Sequence, residues 1–172
     1  MSYNPITDVV MEYFTVITAN GDGERMRPVA TIAKCLLPFR GKTILAHLLE
    51  RFPDAIVLSH HALNVPQSIR IAPTRCRKDT LRYLTGMRSV LIVDADIYVP
   101  SFRFACTDKD ALFVYKGRNA GLYYVRSIDA LLRYMKVDDI AGGMRDHQTI
   151  TMRTIHLGTP EEYKAATASE AS

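Results

Sequence analysis

The stretch ANGDGERMRP, residues 19–28, decides how this chain is interpreted. It follows an apolar run, FTVIT, whose β-branched and aromatic residues predict a buried strand. Gly21 and Gly23 allow unusual backbone dihedrals and the close approach of a bulky anion such as a phosphate. Arg25 and Arg27 add two permanent charges that can bind phosphate oxygens in pairs. We therefore predict a phosphate-binding loop directly after the first strand.

Two familiar phosphate-binding motifs do not fit this loop. The Walker motif needs GK[ST] after four spacer residues, and the dinucleotide-binding fingerprint needs a third glycine where Met26 stands. A short glycine pattern is a weak signal, and its alternative interpretation is a turn with solvated arginines. The rest of the chain has to decide between the two.

The composition fits one globular domain. The 172 residues are 48% hydrophobic and 23% charged, with a formal net charge of +4. We expect a single domain over residues 1–164 and a flexible polar tail over 165–172. The lack of a long apolar run and of a secretion signal predicts a cytoplasmic protein without a membrane partner. Three scattered cysteines argue against a disulfide framework or a zinc site.

Apolar runs typical of buried strands alternate with helical patterns along the chain. This alternation predicts an α/β fold whose mainly parallel sheet is covered by helices on both faces. Ligands of such sheets bind at the carboxyl ends of the strands. The strands are predicted at 13–18, 55–59, 89–93, 111–115, 122–125 and 151–157, and the helices at 43–52, 79–87, 127–135 and 160–166.

Four segments carry further motifs in a fixed order. Residues 16–45 match a pattern like G-x-G-x-R-x-x-P, then P-K-x-L-L-P and G-K-x-I-L, with Ala33 in place of the proline. The others are VLIVDADIYV at 90–99, NAGLYYV at 119–125 and HLGTPEEYKAA at 156–166. Together they resemble the sugar nucleotidyltransferases over nearly the whole chain. The last three are similar to that family's metal-binding strand, sugar-pocket strand and closing D-I-G-T-P-E-D-Y segment.

The resemblance implies a Rossmann-like nucleotidyltransferase fold of the GT-A type and a Mg²⁺-dependent reaction. A sugar 1-phosphate, or a similar small phosphorylated alcohol, attacks the α-phosphorus of a nucleoside triphosphate and releases pyrophosphate. Such a reaction between anions needs charge neutralisation and positioning more than a covalent nucleophile.

The resemblance also implies roles for individual residues. The catalytic residues would be Arg25, Lys34 and Asp96. The nucleotide would be bound by Asn20, Gly21, Gly23, Arg25, Arg27 and Thr80, and the sugar by Lys116, Asn119 and Gly121. The metal would be held by Asp96, Asp94 and His156. Strand alternation places Asp94 and Asp96 on one face at the ligand end of the sheet, although Asp94 has the alternative role of capping the following turn.

Two features keep other functions open. His156 stands where the family carries a second metal-binding aspartate, and neutral imidazole suits Mg²⁺ poorly. The segment between Asp96 and Asn119 is shorter than the sugar-binding portion of the family. The first alternative is a non-catalytic nucleotide or sugar-nucleotide-binding relative. The second is a small glycosyltransferase that uses the D-x-D pair of Asp94 and Asp96, against which the arginine-bearing loop argues.

The basic stretch 70–88 has two interpretations. It holds six basic residues and one acid, Asp79, which is compatible with a nucleic-acid patch. Only Tyr83 could stack on a base, and charges at this density are commonly a solvated helix face. We favour the solvated face and predict no nucleic-acid partner.

Overall fold

A mixed seven-stranded sheet forms the centre of the protein. The structure, a computed structural model, describes residues 12–21, 26 and 32–169. The strands are β1 (Phe14–Thr18), β2 (Pro38–Phe39), β3 (Lys42–Thr43), β4 (Ile56–Ser59), β5 (Ser68–Arg70), β6 (Arg88–Asp94), β7 (Ile97–Tyr98), β8 (Asp110–Tyr115), β9 (Arg118–Ser127), β10 (His147–Thr151) and β11 (Ile155–His156). The helices are α1 (Ile44–Arg51), α2 (Arg77–Leu81), α3 (Ile128–Tyr134), α4 (Ile140–Gly143) and α5 (Pro160–Ala168).

The strand order in the large sheet is β10-β8-β9-β6-β1-β4-β5. Strand β9 runs antiparallel to both of its neighbours, and the other four pairs are parallel. Strands β11 and β7, and strands β2 and β3, form two small antiparallel pairs beside the sheet. In β1 and β6, Thr18 lies opposite Asp94, so the two strands end together at one rim of the sheet.

Successive residues of the central strands pack into two separate apolar cores. Ile17 of β1 lies in the core that contains Leu48 of α1, and Val16 lies in the core that contains Leu131 of α3. Because neighbouring side chains of a strand point to opposite faces, the two cores lie on opposite faces of the sheet. The predicted α/β class, with a mainly parallel sheet and helices on both faces, is confirmed.

Of the predicted elements whose ends differ from the structure, two differ because of contacts with distant segments. The strand predicted at 151–157 is two strands, because β10 pairs with β8 in the large sheet whereas β11 pairs with β7. The helix predicted at 79–87 already begins at Arg77 and continues as a 3-10 helix to Leu84. Its start is set by a side chain from a distant segment, since the Asp138 carboxylate accepts the N–H of Arg77 at 2.8 Å.

The last helix extends into the segment 165–172 that was predicted as a flexible tail. Helix α5 continues to Ala168, where its alanines are good helix formers and the Thr167 hydroxyl donates to the carbonyl of Tyr163 at 3.0 Å. Within the described residues, none of the helices has the length and apolar character needed to span a bilayer.

Candidate active site

A cleft of about 550 Å³ opens where β1 and β6 end. Its walls come from the residues after β1, the 3-10 helix at Lys34–Leu36, the start of α2, the end of β6 and the loop between β11 and α5. This is the rim at which open α/β sheets bind their ligands. The seven predicted site residues that line the cleft are Asn20, Gly21, Lys34, Thr80, Asp94, Asp96 and His156.

The loop predicted to bind phosphate lies only partly within the described residues. Gly21 lines the cleft, and a Cβ atom added there would have no heavy atom within 4 Å. Its φ is outside the left-handed region, so Gly21 provides open space and not an unusual backbone conformation. The predicted residues Gly23, Arg25 and Arg27 lie outside the described residues.

The side chain of Asn20, after β1, forms hydrogen bonds with two other segments beside the cleft. Its side chain is buried, and its Oδ1 accepts the N–H of His60 at 2.7 Å after β4. Its amide nitrogen donates to Thr74 and, at 3.4 Å, to the Thr80 hydroxyl. The Thr74 and Thr80 hydroxyls lie 2.7 Å apart. Asn20 and Thr80 therefore fix the position of α2 against the end of β1.

Lys34 and Asp96 meet across the cleft. The Lys34 ammonium lies 2.9 Å from Asp96 Oδ2 and 3.3 Å from the carbonyl of Gly158, although 62 residues separate the lysine from the aspartate. Burial would raise the pKa of Asp96, but the charges of Lys34, Arg77 and His156 outweigh it and lower that pKa. Asp96 therefore stays ionised at neutral pH.

Asp94 pairs with a residue that sequence reasoning missed. Arg77, the first residue of α2, forms an ion pair with Asp94 Oδ1 at the end of β6. Its guanidinium carbon also lies 5.6 Å from the ring centre of Tyr123. The side chains of Arg77 and Asp94 are 34% and 16% exposed, so the pair is only partly screened by water.

The basic stretch 70–88 divides between solvent and the cleft. Arg82 is exposed and pairs with Asp79 at 3.0 Å, as expected of a solvated helix face. The same interpretation is wrong for Arg77, because Asp94 draws its guanidinium into the cleft. The helical spacing could not show this, since Asp94 comes from a distant strand.

The far wall of the cleft carries a third ion pair. Arg118, at the start of β9, lies 3.0 Å from the Glu162 carboxylate in the first turn of α5. Burial raises the pKa of Glu162, but its bond to Arg118 and the nearby charge of His156 lower that pKa overall. His156 Nε2 is buried and has no hydrogen-bond partner among the described residues.

The predicted sugar-binding residues lie beside the cleft and do not line it. Lys116 sits in the turn between β8 and β9, with its ammonium 5.5 Å from the ring centre of Tyr115. Asn119 Oδ1 accepts the N–H of Gly121 at 3.0 Å, and Gly121 is buried. Among the described residues, Arg118 is the one from this segment that reaches the cleft.

The fit to a magnesium ion rests on two carboxylates. Asp94 and Asp96 both line the cleft, and Mg²⁺ prefers one or two carboxylates with phosphate oxygens and water. Among the described residues, no three His, Cys, Asp or Glu side chains form a group that could hold a metal. The predicted set of Asp96, Asp94 and His156 is therefore not such a group, and each of its two carboxylates is paired with a cation. Two carboxylates completed by other oxygen ligands are still a donor set that suits Mg²⁺.

Solved nucleotidyltransferases share the architecture of this chain. CTP:phosphocholine cytidylyltransferase from Streptococcus pneumoniae superimposes with a TM-score of 0.74 at 13% identity, over 93% of this chain and 100% of that one. A nucleoside-diphosphate-sugar pyrophosphorylase from Vibrio cholerae gives 0.64 at 14% identity, over 90% and 100% of the two chains. The inositol-1-phosphate CTP transferase from T. maritima gives 0.64 at 10% identity, over 86% and 90%. The chain has a sugar-nucleotidyltransferase-like fold.

Motifs that are far apart in the sequence meet in this fold. By sequence, no protein family matches the chain, and no curated protein does either. The nucleotidyltransferase-like fold brings Lys34 after β1 and Asp96 after β6 to one rim, as their motifs implied. Charged cleft residues outside the predicted catalytic, nucleotide, sugar and metal sets include Arg77, Arg118 and Glu162.

Proposed function

We propose that this chain transfers a nucleoside monophosphate from a nucleoside triphosphate to a sugar 1-phosphate or a similar small phosphorylated alcohol, with release of pyrophosphate. The observation that supports the proposal is the contact of Lys34 with Asp96 inside a cleft at the carboxyl ends of β1 and β6. Lys34, a cation that could bind a polyphosphate, is thus adjacent to Asp96, a carboxylate that could bind a metal. The shared fold with nucleotidyltransferases supports the same reaction class.

In this proposal, the nucleotide lies along the end of β1. Gly21 leaves open space for phosphate oxygens near the backbone. Lys34, held in place by Asp96 and the carbonyl of Gly158, donates to the triphosphate and to the departing pyrophosphate. Arg25 and Arg27, with Gly23, contribute further donors to the same phosphates.

Magnesium would be held by Asp96, with Asp94, and would neutralise charge on the phosphates. The chain's own contribution is placement, because two anions must be brought into line before the acceptor phosphate can attack. Thiol chemistry has no part in this proposal. Burial raises the pKa of Cys35, which lines the cleft, to about 11, and its thiol stays protonated at neutral pH.

The acceptor phosphate would bind on the wall formed by β9 and α5. Arg118 offers a planar, charged donor that Glu162 orients across the cleft. Lys116, Asn119 and Gly121 would support this wall from outside the cleft. Arg118 and Lys116 are the two basic residues of this segment, and in this proposal Arg118 is the one that contacts the sugar phosphate.

Pyrophosphate release tests the proposed function. The full chain is incubated with Mg²⁺, each of the four common nucleoside triphosphates, and glucose 1-phosphate, phosphocholine or inositol 1-phosphate. We expect release with one nucleotide and one acceptor. Asp96→Asn should slow it by roughly a hundredfold to a thousandfold, by analogy with the loss of one preorganised charge in other active sites. The matched control is Asp54→Asn, which changes an exposed carboxylate outside the cleft.

The outcomes separate three functions. Release that depends on Asp96 supports the nucleotidyltransferase. Binding of nucleotide without release for any pair contradicts it and supports a non-catalytic binding protein. Sugar transfer from a nucleotide sugar to an acceptor, without pyrophosphate, supports a glycosyltransferase that uses Asp94 and Asp96.

One observation favours the non-catalytic binding protein as the second candidate. Both carboxylates that would hold the metal are paired with Lys34 and Arg77. A protein that binds a nucleotide without metal would keep these pairs intact. Nucleotide binding that is insensitive to removal of divalent cations would support this candidate.

A further inference from the structure

Three of the four acidic side chains that line the cleft have separate cationic partners among the described residues. Asp94 pairs with Arg77, Asp96 with Lys34, and Glu162 with Arg118. The three pairs come from elements that are far apart in the chain. The protein without ligands therefore balances the charge of these carboxylates internally, with no ion required.

Contacts of the backbone and of the guanidinium fix the position of Arg77. Its backbone N–H donates to Asp138 at 2.8 Å, and the next residue, Lys78, donates its N–H to the carbonyl of Val137 at 2.9 Å. Its guanidinium stacks near the Tyr123 ring. The pair with Asp94 is partly buried, where charge interactions are stronger than in water. The main chain around Arg77 is thus fixed, while its long side chain can change partners by rotation.

A metal ion and a guanidinium compete for the same carboxylate. A divalent ion at Asp94 would be repelled by Arg77 if the guanidinium stayed beside it. A triphosphate in the cleft offers Arg77 other oxygens, to which a guanidinium binds well. Entry of the nucleotide would therefore free Asp94 at the moment when the metal arrives.

We propose that Arg77 is a positioning residue that keeps Asp94 from binding metal until a triphosphate draws the guanidinium away. This inference rests on the proposed function and adds that metal and nucleotide bind cooperatively. Because coupling between two ligands is reciprocal, the nucleotide raises the affinity for the metal by the same factor as the metal raises that for the nucleotide. Removing Arg77 would abolish much of that coupling by giving the metal free access to Asp94.

The test measures Mn²⁺ binding to the full chain by the electron paramagnetic resonance signal of the free ion, without nucleotide. We expect Arg77→Gln to bind Mn²⁺ about tenfold more tightly than the wild type, within the range of roughly 5- to 150-fold typical of ligand coupling. The gain should vanish in the double variant Arg77→Gln/Asp94→Asn, because Asp94 is the group that is freed. Arg77→Lys keeps the charge and should resemble the wild type.

The matched control is Arg75→Gln. Arg75 lines the same cleft, but no ion pair joins it to any described residue. Arg75→Gln removes one positive charge from the cleft, as Arg77→Gln does. Because exposed charges interact weakly, it should change the Mn²⁺ affinity by less than about threefold. An equal gain in both variants, or no gain in Arg77→Gln, overturns the inference.

The failure of this inference can be told from the failure of the proposed function. The Mn²⁺ comparison is made without nucleotide and needs no turnover. With a non-hydrolysable triphosphate analogue, Arg77→Gln should bind the analogue more weakly although it binds Mn²⁺ more tightly alone. A purely structural role would weaken both. If wild-type and variant proteins release pyrophosphate normally but bind Mn²⁺ alike, the inference is wrong and the proposed function stands.

Discussion

Gly158 lies so close to Asp96 that a side chain has no room between them. A Cβ atom at Gly158 would stand 2.5 Å from Asp96 Oδ2, closer than non-bonded atoms approach. The backbone of Gly158 is outside the left-handed region, so an alanine there would be strained by this contact and not by its dihedral angles. The glycine thus lets the carboxylate reach Lys34.

We expect Gly158→Ala to displace the Asp96 carboxylate. The free energy of unfolding should fall by about 1–3 kcal/mol, as is usual for overpacking, and pyrophosphate release should fall with it. Urea denaturation and the release assay measure the two effects. Normal activity in Gly158→Ala would show that Asp96 does not need its present position.

Gly21→Ala should weaken triphosphate binding without changing the stability of the protein. The added methyl group meets no protein atom within 4 Å and needs no unusual φ, so the unfolding free energy should change by less than about 0.5 kcal/mol. If the triphosphate approaches the backbone here, its affinity should fall by about tenfold or more, since the methyl group occupies that space. Calorimetric titration with a triphosphate analogue tests this. An unchanged affinity would place the phosphates elsewhere.

At the scale of residues, sequence motifs predicted Lys34 and Asp96 but gave no role to Arg77. The two residues stand in motifs whose order along the chain fixes their position. Arg77 stands in a basic stretch of ordinary appearance, and its partner Asp94 is known only once α2 and β6 are placed together. Ion pairs between distant segments leave no periodic signal in a sequence.

Helix α2 begins at Arg77 because a side chain from a distant segment accepts the N–H of that residue. Its own N-cap residue, Cys76, provides no side-chain hydrogen bond, and Asp138 from the segment between α3 and α4 accepts the N–H of Arg77 instead. Local capping signals therefore predicted the start of this helix two residues too late. The prediction of α3 from Ser127 was better, because the Ser127 hydroxyl accepts the N–H of Ala130 within the same segment.

We expect Asp138→Ala to destabilise the protein through α2. Loss of a capping carboxylate should lower the free energy of unfolding by about 1 kcal/mol. Arg77 would also lose its fixed backbone, so the variant should share part of the gain in Mn²⁺ affinity of Arg77→Gln. Urea denaturation and Mn²⁺ titration measure these effects. Asp54→Ala removes an exposed carboxylate outside the cleft and should change neither by a measurable amount.

The stability of the whole protein should depend on pH through its cleft. The pKa of Asp96 is lowered in the folded protein, chiefly because the charge of Lys34 overcomes the effect of burial. The stabilisation is then present above the unfolded pKa of about 3.9 and is lost as the pH falls through the lower, folded pKa. Unfolding free energies measured from pH 7 to pH 2 should fall below about pH 4.

Asp96→Asn should make that acid-side loss smaller. An amide carries no charge to lose on acidification, whereas Asp54→Asn should leave the profile as in the wild type, since Asp54 is exposed and lies outside the cleft. Equal profiles for Asp96→Asn and the wild type would show that the contact with Lys34 does not stabilise the folded state.

The sequence could predict the layers of the molecule but not every strand direction. Alternating residues such as Val16 and Ile17 show that both faces of β1 are buried, and helices between strands imply parallel neighbours. Strand β9 was predicted as buried, yet its antiparallel direction follows from the short connection after β8, since a tight turn can join only antiparallel strands. This direction brings Arg118, at the start of β9, to the rim where β6 ends.

The turn that makes this reversal holds only two residues. Lys116 and Gly117 both have left-handed backbones, with φ of 51° and 72°, as two-residue hairpins require. Polypeptide inserted between them would emerge at the mouth of the cleft, next to Arg118, while the hydrogen-bonded ladder behind it stayed whole. A protein engineer could therefore graft a new recognition loop at this hairpin, beside the wall where the acceptor is proposed to bind, without rebuilding the scaffold.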